Sequence, residues 1–230
     1  MTNAITVLLV DDHAVVREGY KKLLGRGRDI TVVGEASSAA EAYRQFCALT
    51  PRVVVMDIAL PGASGIEALR RIRTRQPDAR VLMFSMYGDA IYARRALDAG
   101  AIGYLTKASA PEVLVDAVRA VANDERYLSR DVAQALAFAG GDQDNALAEL
   151  SPREYEVLRL WMQGQSLHDI AQALGLSQKT IANHQSSIKQ KLRADTAAQL
   201  LRNAIRLGLL PEGASLLDNV MPVSGIQSAG

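Results

Sequence analysis

The feature that most restricts the fold of this chain is a short apolar run, Val53-Val54-Val55-Met56, which leads directly into Asp57. A continuous apolar run rich in β-branched residues is typical of a strand that is buried on both faces, as strands of parallel sheets are. Open α/β folds bind their ligands at the carboxyl edge of such a sheet. The run therefore predicts a parallel α/β domain with Asp57 at its functional edge.

Residues 4–122 alternate between strand-like and helix-like segments. This alternation favours a doubly wound sheet of five parallel strands, joined by right-handed helical crossovers. The predicted strands are residues 5–10, 31–36, 53–57, 80–85 and 103–105. The predicted helices are residues 13–24, 39–49, 66–75, 90–99 and 111–122.

Polar side chains stand at the carboxyl ends of four of these strands: Asp11 and Asp12, Asp57, Ser85, and Lys107. Because the carboxyl ends of parallel strands meet at one edge, we expect these side chains to converge. Three neighbouring carboxylates repel one another unless a proton or a cation lies among them, and carboxylates with water suit Mg²⁺. A carboxylate can also attack a phosphoryl group, whose oxygens then need cationic and hydroxyl partners. The set therefore predicts a magnesium and phosphoryl site.

Each residue also has a simpler interpretation. Asp11 and Asp12 can cap the next helix, Lys107 can be a solvated surface charge, and Ser85 can be a turn or cap residue. The functional interpretation is favoured because all of these residues follow strand ends within one alternating pattern.

These residues resemble the receiver domain of two-component response regulators, over about residues 4–122. The resemblance implies that Asp57 accepts a phosphoryl group from a sensor histidine kinase, and that Ser85 and Lys107 bind that group. It also implies a Mg²⁺ site formed by Asp12, Asp57 and the backbone carbonyl of Ala59, with assistance from Asp11.

The resemblance further marks Tyr104 as a switch residue that turns inward when Ser85 moves towards the phosphate. The alternative is a half-buried strand aromatic without a switching role. The chain departs from the common receiver pattern at Met86, where a small residue is frequent, and we hypothesise that Met86 narrows access to the phosphoryl group.

The second half of the chain predicts a helical domain. Ser151, Pro152 and Glu154 form the start of a helix with a capping box. Further helices are predicted at residues 167–174, 178–193 and 196–207, which gives an all-α domain of four helices. The turn Gly175-Leu176-Ser177 joins the second and third helices, and a short glycine-containing turn is typical of a helix-turn-helix.

The third of these helices carries only basic charges, namely Lys179, Lys189, Lys191 and Arg193. Such a helix suits contact with the phosphates of nucleic acid, although a solvated basic face is the simpler alternative.

Residues 148–208 resemble the LuxR-type helix-turn-helix through Leu150-Ser151-Pro152-Arg153-Glu154, Ile170-Ala171, Leu174, Leu176-Ser177, Lys179-Thr180-Ile181, Asn183-His184 and Lys191-Leu192. A receiver joined to this module defines the NarL/FixJ class of response regulators. The resemblance implies that the third helix enters the major groove of double-stranded DNA. Base edges would then face Ala182, Asn183 and Ser186, and phosphates would face Lys179, Thr180 and Lys189.

The predicted domains are a receiver at residues 1–122, a linker with a helical part at 123–147, the DNA-binding domain at 148–210 and a disordered tail at 211–230. Cys47 is the only cysteine, which excludes an internal disulfide and fits a reducing compartment; we expect it to be buried. No apolar run reaches the roughly 18 residues of a membrane span.

We therefore predict a cytoplasmic regulator of transcription, not an enzyme, whose dimerisation and DNA binding depend on phosphorylation of Asp57. A dimer would read a two-fold DNA site, with helix 196–207 either at the dimer contact or in the domain core. Two alternatives stay open. One is a Mg²⁺-dependent phosphohydrolase with Asp57 as nucleophile, although no second carboxylate follows two residues on. The other is a phosphorylation-independent DNA-binding protein whose receiver serves as an interaction platform.

Overall fold

The computed structural model describes residues 4–61, 63–138 and 149–194, together with Thr196, Gln199, Leu200, Arg202 and Asn203. The chain divides into two compact units, Met1–Gly140 and Gly141–Gly230. Among the helices of the described residues, none combines the length and the apolar character needed to cross a membrane.

The first unit is a parallel sheet flanked by helices, and six strands lie within its described residues in the order β2-β1-β3-β4-β5-β6. The strands are β1 Ile5–Val10, β2 Ile30–Ala36, β3 Val53–Met56, β4 Val81–Ser85, β5 Gly103–Thr106 and β6 Tyr127–Leu128. The helices are α1 Ala14–Leu24, α2 Ala39–Leu49, α3 Gly65–Arg75, α4 Ala90–Asp98, α5 Pro111–Ala122 and α6 Arg130–Phe138. The predicted α/β fold and its first five strands are confirmed, and β6 extends the sheet.

Strand β3 is the centre of this unit because its apolar run is buried on both faces. Its four residues are each at most 1% exposed, and the strand pairs with β1 on one side and β4 on the other. Val53 and Val55 belong to a core cluster that also contains Leu82 and Leu105 and the buried face of α5. The sequence pattern therefore produces the layered packing that fixes the sheet.

The strand register brings the functional edge together. Val10 pairs with Met56, Met56 pairs with Met83, and Ser85 pairs with Thr106. The residues that follow β1, β3 and β5 therefore lie at the same edge of the sheet. Gly65 begins α3 close to this edge, since a Cβ added there would lie 1.8 Å from the backbone oxygen of Asp57.

Within the predicted linker, residues Arg130–Phe138 form α6, which packs against α4 and β5. Just before it, Tyr127 and Leu128 form β6 and pair in parallel with β5. Two residues are too few to show an alternating pattern, so the sequence did not indicate this strand.

Cys47 is exposed, so the prediction that it is buried is wrong. The buried stripe of α2 consists of Ala39, Ala42 and Phe46. Cys47 directly follows Phe46, and each residue rotates the side-chain direction around a helix by about 100°. The Cys47 side chain therefore lies beside the buried stripe and not within it.

In its described residues, the second unit contains three helices: α7 Pro152–Met162, α8 Leu167–Ala173 and α9 Gln178–Lys191. The predicted capping box of Ser151 and Glu154 is present, and Ser166 forms a second one with Asp169. Gly175 adopts a φ of +62° in the turn between α8 and α9, a conformation that favours glycine.

Several sequence predictions fall mainly outside the described residues. These are the fourth helix at residues 196–207, the polar connector at 140–145 and the tail at 211–230.

Candidate functional site

Asp11, Asp57 and Lys107 form a buried ionic cluster at the carboxyl edge of the sheet. The Nζ of Lys107 donates hydrogen bonds to Oδ2 of Asp11 at 2.5 Å and to Oδ2 of Asp57 at 2.6 Å. Each aspartate residue is only 3% exposed and the lysine side chain 7%, so Lys107 is not a solvated surface charge. The convergence expected from the strand ends is therefore observed for these three residues.

The electrostatics of the cluster reflect two carboxylates that share one ammonium group. Burial raises the pKa of Asp57, and the positive charge of Lys107 offsets only part of this effect. Burial lowers the pKa of Lys107, but its bonds to Asp57 and Asp11 outweigh burial and raise it overall. Two carboxylates facing one ammonium group leave an excess of negative charge, which either a proton or a further cation can compensate.

Asp12 lies outside the buried cluster, on its exposed side. Its Oδ1 is 2.8 Å from Nδ1 of His13, while the backbone N–H of His13 donates to Oδ1 of Asp11 at 2.8 Å. The N-cap of α1 is His13, whose side chain makes no capping hydrogen bond. Neither aspartate is therefore the helix cap that the simpler interpretation required.

The oxygen donors at this edge fit a hard divalent cation. Ligand atoms of Asp11, Asp12 and His13 lie within 4.8 Å of one another, and Lys107 holds Asp57 against Asp11. The half-buried Ala59 lies beside them, where its N–H donates to Oδ1 of Asp57 at 3.3 Å. Carboxylate and carbonyl oxygens are the donors that Mg²⁺ prefers.

Ser85 and Tyr104 meet at the loop between β4 and α4. Both residues are fully buried. Oγ of Ser85 accepts a hydrogen bond from the backbone N–H of Tyr87 at 3.3 Å, and the Tyr104 hydroxyl donates to the Tyr87 carbonyl at 2.6 Å. Burial strongly raises the pKa of the Tyr104 phenol. Tyr104 is thus not a half-buried aromatic, and its side chain already lies inside, where the switch role places it only after the turn. Tyr87 is a contact residue that the sequence pattern did not single out.

The six predicted DNA-contact residues lie on the solvent side of α9. Ile181 and Ile188 form the buried side of this helix. The exposed residues are Lys179, Asn183, Ser186 and Lys189, and the partly exposed ones are Thr180 and Ala182.

Some of these side chains have partners within their own unit. The Ser186 hydroxyl donates to the Ala182 carbonyl at 3.0 Å, and the Thr180 hydroxyl lies 2.8 Å from that of Ser177. The ammonium group of Lys189 lies 5.6 Å from the centre of the Trp161 ring, which restrains its direction.

Lys191 does not belong to the outward basic face, which corrects the interpretation of four basic residues facing phosphates. Its Nζ donates to both carboxylate oxygens of Glu154, at 2.9 and 2.6 Å. Ser187 donates to the same carboxylate at 2.6 Å, and Glu154 is 5% exposed. Burial raises the pKa of Glu154, but hydrogen bonds from Lys191, Ser187 and Ser151 lower it to about 2. The group therefore joins α9 to α7.

Both units match known protein families. Residues 7–119 match the response regulator receiver domain, and residues 148–204 match the bacterial regulatory proteins of the luxR family. Over 208 residues the chain is 42% identical to the transcriptional activator protein ExaE of Pseudomonas putida, covering 89% of this chain and 97% of that protein.

Solved structures show the same relationship. A LuxR-family two-component response regulator from Aurantimonas is 47% identical, with a TM-score of 0.58, and covers 59% of this chain and 96% of that one. A structure of two RcsB dimers bound to two parallel DNAs is 27% identical, with a TM-score of 0.57, and covers 89% of this chain and 99% of that one. This chain belongs to the NarL/FixJ family of two-component response regulators, which join a receiver domain to a LuxR-type DNA-binding domain.

Proposed function

We propose that phosphorylation of Asp57 by a sensor histidine kinase controls dimerisation of this response regulator and its binding to double-stranded DNA. The observation that supports this most directly is the buried cluster in which Lys107 bridges Asp11 and Asp57. The proposal is tested by incubating the protein with acetyl phosphate and Mg²⁺. Uptake of a phosphoryl group is measured by intact mass, and DNA binding is measured before and after uptake.

In the proposed transfer, a carboxylate oxygen of Asp57 attacks phosphorus, an oxygen–phosphorus bond forms, and the bond to the donor histidine nitrogen breaks. Lys107 and the Ser85 hydroxyl then donate hydrogen bonds to the new phosphoryl oxygens. Asp11, Asp12, Asp57 and the Ala59 carbonyl would hold Mg²⁺, which when bound supplies positive charge against the phosphoryl oxygens.

The structural response to phosphorylation begins at Ser85. The Ser85 hydroxyl turns towards the phosphoryl group and no longer accepts the hydrogen bond from the Tyr87 backbone N–H. The β4–α4 loop thereby loses one of the hydrogen bonds that hold it. In the same loop, the Tyr87 carbonyl accepts a hydrogen bond from the Tyr104 hydroxyl. Tyr104 is therefore the proposed switch, through which a local charge change alters the packing of the face around α4.

Replacing Met86 by alanine is expected to speed loss of the phosphoryl group from Asp57. Met86 follows Ser85 directly and is 69% exposed, so it does not support the core. We propose that its side chain instead shields the edge of the site. Easier access for water should raise the dephosphorylation rate about threefold, a barrier change below roughly 1 kcal/mol. The decay of the phosphorylated protein, followed by intact mass, measures this rate. Val15→Ala is the control, because it shortens another exposed side chain, on α1, and its dephosphorylation rate should equal that of the wild type. Equal rates for wild type and Met86→Ala would refute the shielding role.

In the second unit, α9 is the proposed reading helix in the major groove. Asn183 is exposed at its centre and suits a bidentate contact with adenine, whereas Ala182 can contact only a thymine methyl group. Lys179, Thr180 and Lys189 are the proposed phosphate contacts, and Ser186 is a further base contact. The bound DNA in the RcsB structure supports DNA binding by this chain in general, while the individual contacts rest on the exposure of these residues on α9.

Alanine substitutions at Asn183 and Lys179 are expected to affect DNA binding in different ways. Asn183→Ala should weaken binding to the target site by about 1–3 kcal/mol and relax the preference for one base. Lys179→Ala should weaken binding to all sequences and lower the slope of log K against log salt by about one. Titrations of target and scrambled duplexes at several salt concentrations separate the two effects. Identical profiles for the two variants would contradict the assignment.

The dimer in the RcsB structure supports a dimer as the DNA-binding form of this chain. A dimer would read a two-fold site with half-sites about one helical turn apart. Whether residues 196–207 contribute to its interface stays a prediction. The enzyme alternative is not favoured, because Ile58 and Ala59 follow Asp57 and offer no carboxylate for acid–base chemistry.

A further inference from the structure

The segment between the receiver helices and the second unit is attached to the strand that carries the proposed switch. Within it, β6 pairs with β5 in a register that places Tyr127 beside Gly103 and Leu128 beside Tyr104. The backbone N–H of Ser129 donates to the Tyr104 carbonyl at 3.1 Å. In α6, Val132 is fully buried. The segment Tyr127–Phe138 is thus a packed part of the first unit.

One side-chain hydrogen bond ties α6 to the end of β5. The Thr106 hydroxyl donates to Oδ2 of Asp131 at 2.7 Å. Thr106 is almost completely buried and directly precedes Lys107, which binds the Asp57 carboxylate. The first turn of α6 is therefore hydrogen-bonded to Thr106, and Thr106 is the residue next to Lys107, the proposed phosphoryl-binding lysine.

The β4–α4 loop passes next to the same bond. A Cβ added to Gly88 in this loop would lie 3.4 Å from Cγ2 of Thr106 and 3.6 Å from Oδ2 of Asp131. Nearer its start, the loop is fixed by the bonds that Tyr87 makes with Ser85 and Tyr104. A movement of the loop therefore changes the space available to the Asp131 carboxylate.

We propose that the Thr106–Asp131 hydrogen bond couples α6 to the phosphorylation state of Asp57. This inference rests on the proposed function and extends it to the segment that leaves the receiver. When Ser85 and Lys107 turn to phosphoryl oxygens, the loop and the end of β5 shift, and Asp131 loses its bond to Thr106. The first turn of α6 then opens more often, so the stability of this helix depends on whether Asp57 is phosphorylated. Asp131 is a positioning residue in this account and touches no phosphoryl group.

Hydrogen exchange of the full chain, with and without acetyl phosphate and Mg²⁺, tests the coupling. Intact mass on the same samples gives the extent of phosphorylation. In the wild type, amides of Arg130–Phe138 should exchange about tenfold faster after phosphorylation, as expected for loss of one hydrogen bond to a charged group. Thr106→Val removes the hydroxyl at nearly constant shape, so this segment should exchange at the fast rate before phosphorylation and change little afterwards. Asp131→Ala should behave in the same way.

Arg130→Ala is the matched control, because it shortens an exposed side chain beside Asp131 in the same helix. It should respond to phosphorylation as the wild type does. Phosphorylated wild type with unchanged exchange in α6 would overturn the coupling but leave the proposed function intact. A wild-type response in Thr106→Val, or fast exchange in Arg130→Ala before phosphorylation, would also overturn it. Absence of phosphoryl uptake by the wild type would instead overturn the proposed function, and the coupling with it.

Discussion

The Asp57→Asn protein is expected to take up no phosphoryl group from acetyl phosphate, under conditions in which the wild type becomes phosphorylated. Asparagine keeps the shape of the side chain but removes the nucleophilic carboxylate oxygen. It also keeps an oxygen that can accept the hydrogen bond from Lys107, so the buried cluster should stay assembled. Intact mass after incubation with acetyl phosphate and Mg²⁺ measures the uptake.

This loss of uptake is not expected to come from unfolding. Burial raises the pKa of Asp57 above its ordinary value of 3.8, so the fold favours the protonated carboxyl group. The resulting stabilisation is fully present below the unfolded-state pKa and is lost as the pH rises through the folded-state pKa. A neutral asparagine avoids that loss, and the variant should melt at or above the wild-type temperature at pH 7.

Asp124→Asn is the control for this substitution. Asp124 is an exposed carboxylate that pairs with Arg80, outside the cluster, and asparagine tolerates its φ of +62°. The Asp124→Asn protein should be phosphorylated like the wild type. Continued uptake by Asp57→Asn would show that another group, such as Asp11 or Asp12, is the acceptor.

Glu154→Ala is expected to destabilise the second unit by about 2 kcal/mol, because the hydrogen-bond donors around this buried carboxylate lose their acceptor. These donors are Lys191, the Ser187 hydroxyl and the backbone N–H of Ser151. Since Lys191 and Ser187 lie on α9, the substitution should also reduce DNA binding. Chemical denaturation followed by circular dichroism measures the change in stability.

The same carboxylate predicts how the stability of the second unit depends on pH. Its pKa is about 2 in the fold, against an ordinary value of 4.5. A lowered pKa contributes stability above the unfolded-state value, and that stability is lost as the pH falls from about 4.5 to about 2. The Glu154→Gln protein should lack this part of the pH dependence.

Glu156→Ala is the matched control on the same helix, because Glu156 pairs with Arg153 three residues away near the surface. Pairs of that kind contribute less than about 1 kcal/mol. Equal destabilisation by Glu154→Ala and Glu156→Ala would contradict the anchoring role of Glu154.

The sequence predicted most of the receiver fold because its buried strands are continuous apolar runs separated by helical periodicity. Three of the five polar side chains expected at the sheet edge, those of Asp11, Asp57 and Lys107, contact one another directly. Ser85 is joined to them only through the backbone, because its carbonyl accepts a hydrogen bond from the Lys107 N–H. Asp12 lies on the exposed side of this set. The roles assigned to all of these residues stay predictions.

What the sequence could not indicate are contacts between distant segments. Lys191 looked like a phosphate contact, and its partner Glu154 is 37 residues away. The Thr106–Asp131 bond spans 25 residues and carries no local signal. Tyr87 lies in a loop, where its contacts depend on how the loop packs and not on any periodicity.

The central claim is that phosphorylation of Asp57 controls DNA binding, and a genomic binding map of the wild type and Asp57→Ala, expressed equally, tests it most directly. We predict discrete binding sites for the wild type under inducing conditions and loss of most of that occupancy in Asp57→Ala. The same sites with the same occupancy in both proteins would contradict the claim. That result would favour a DNA-binding protein whose receiver acts only as an interaction platform.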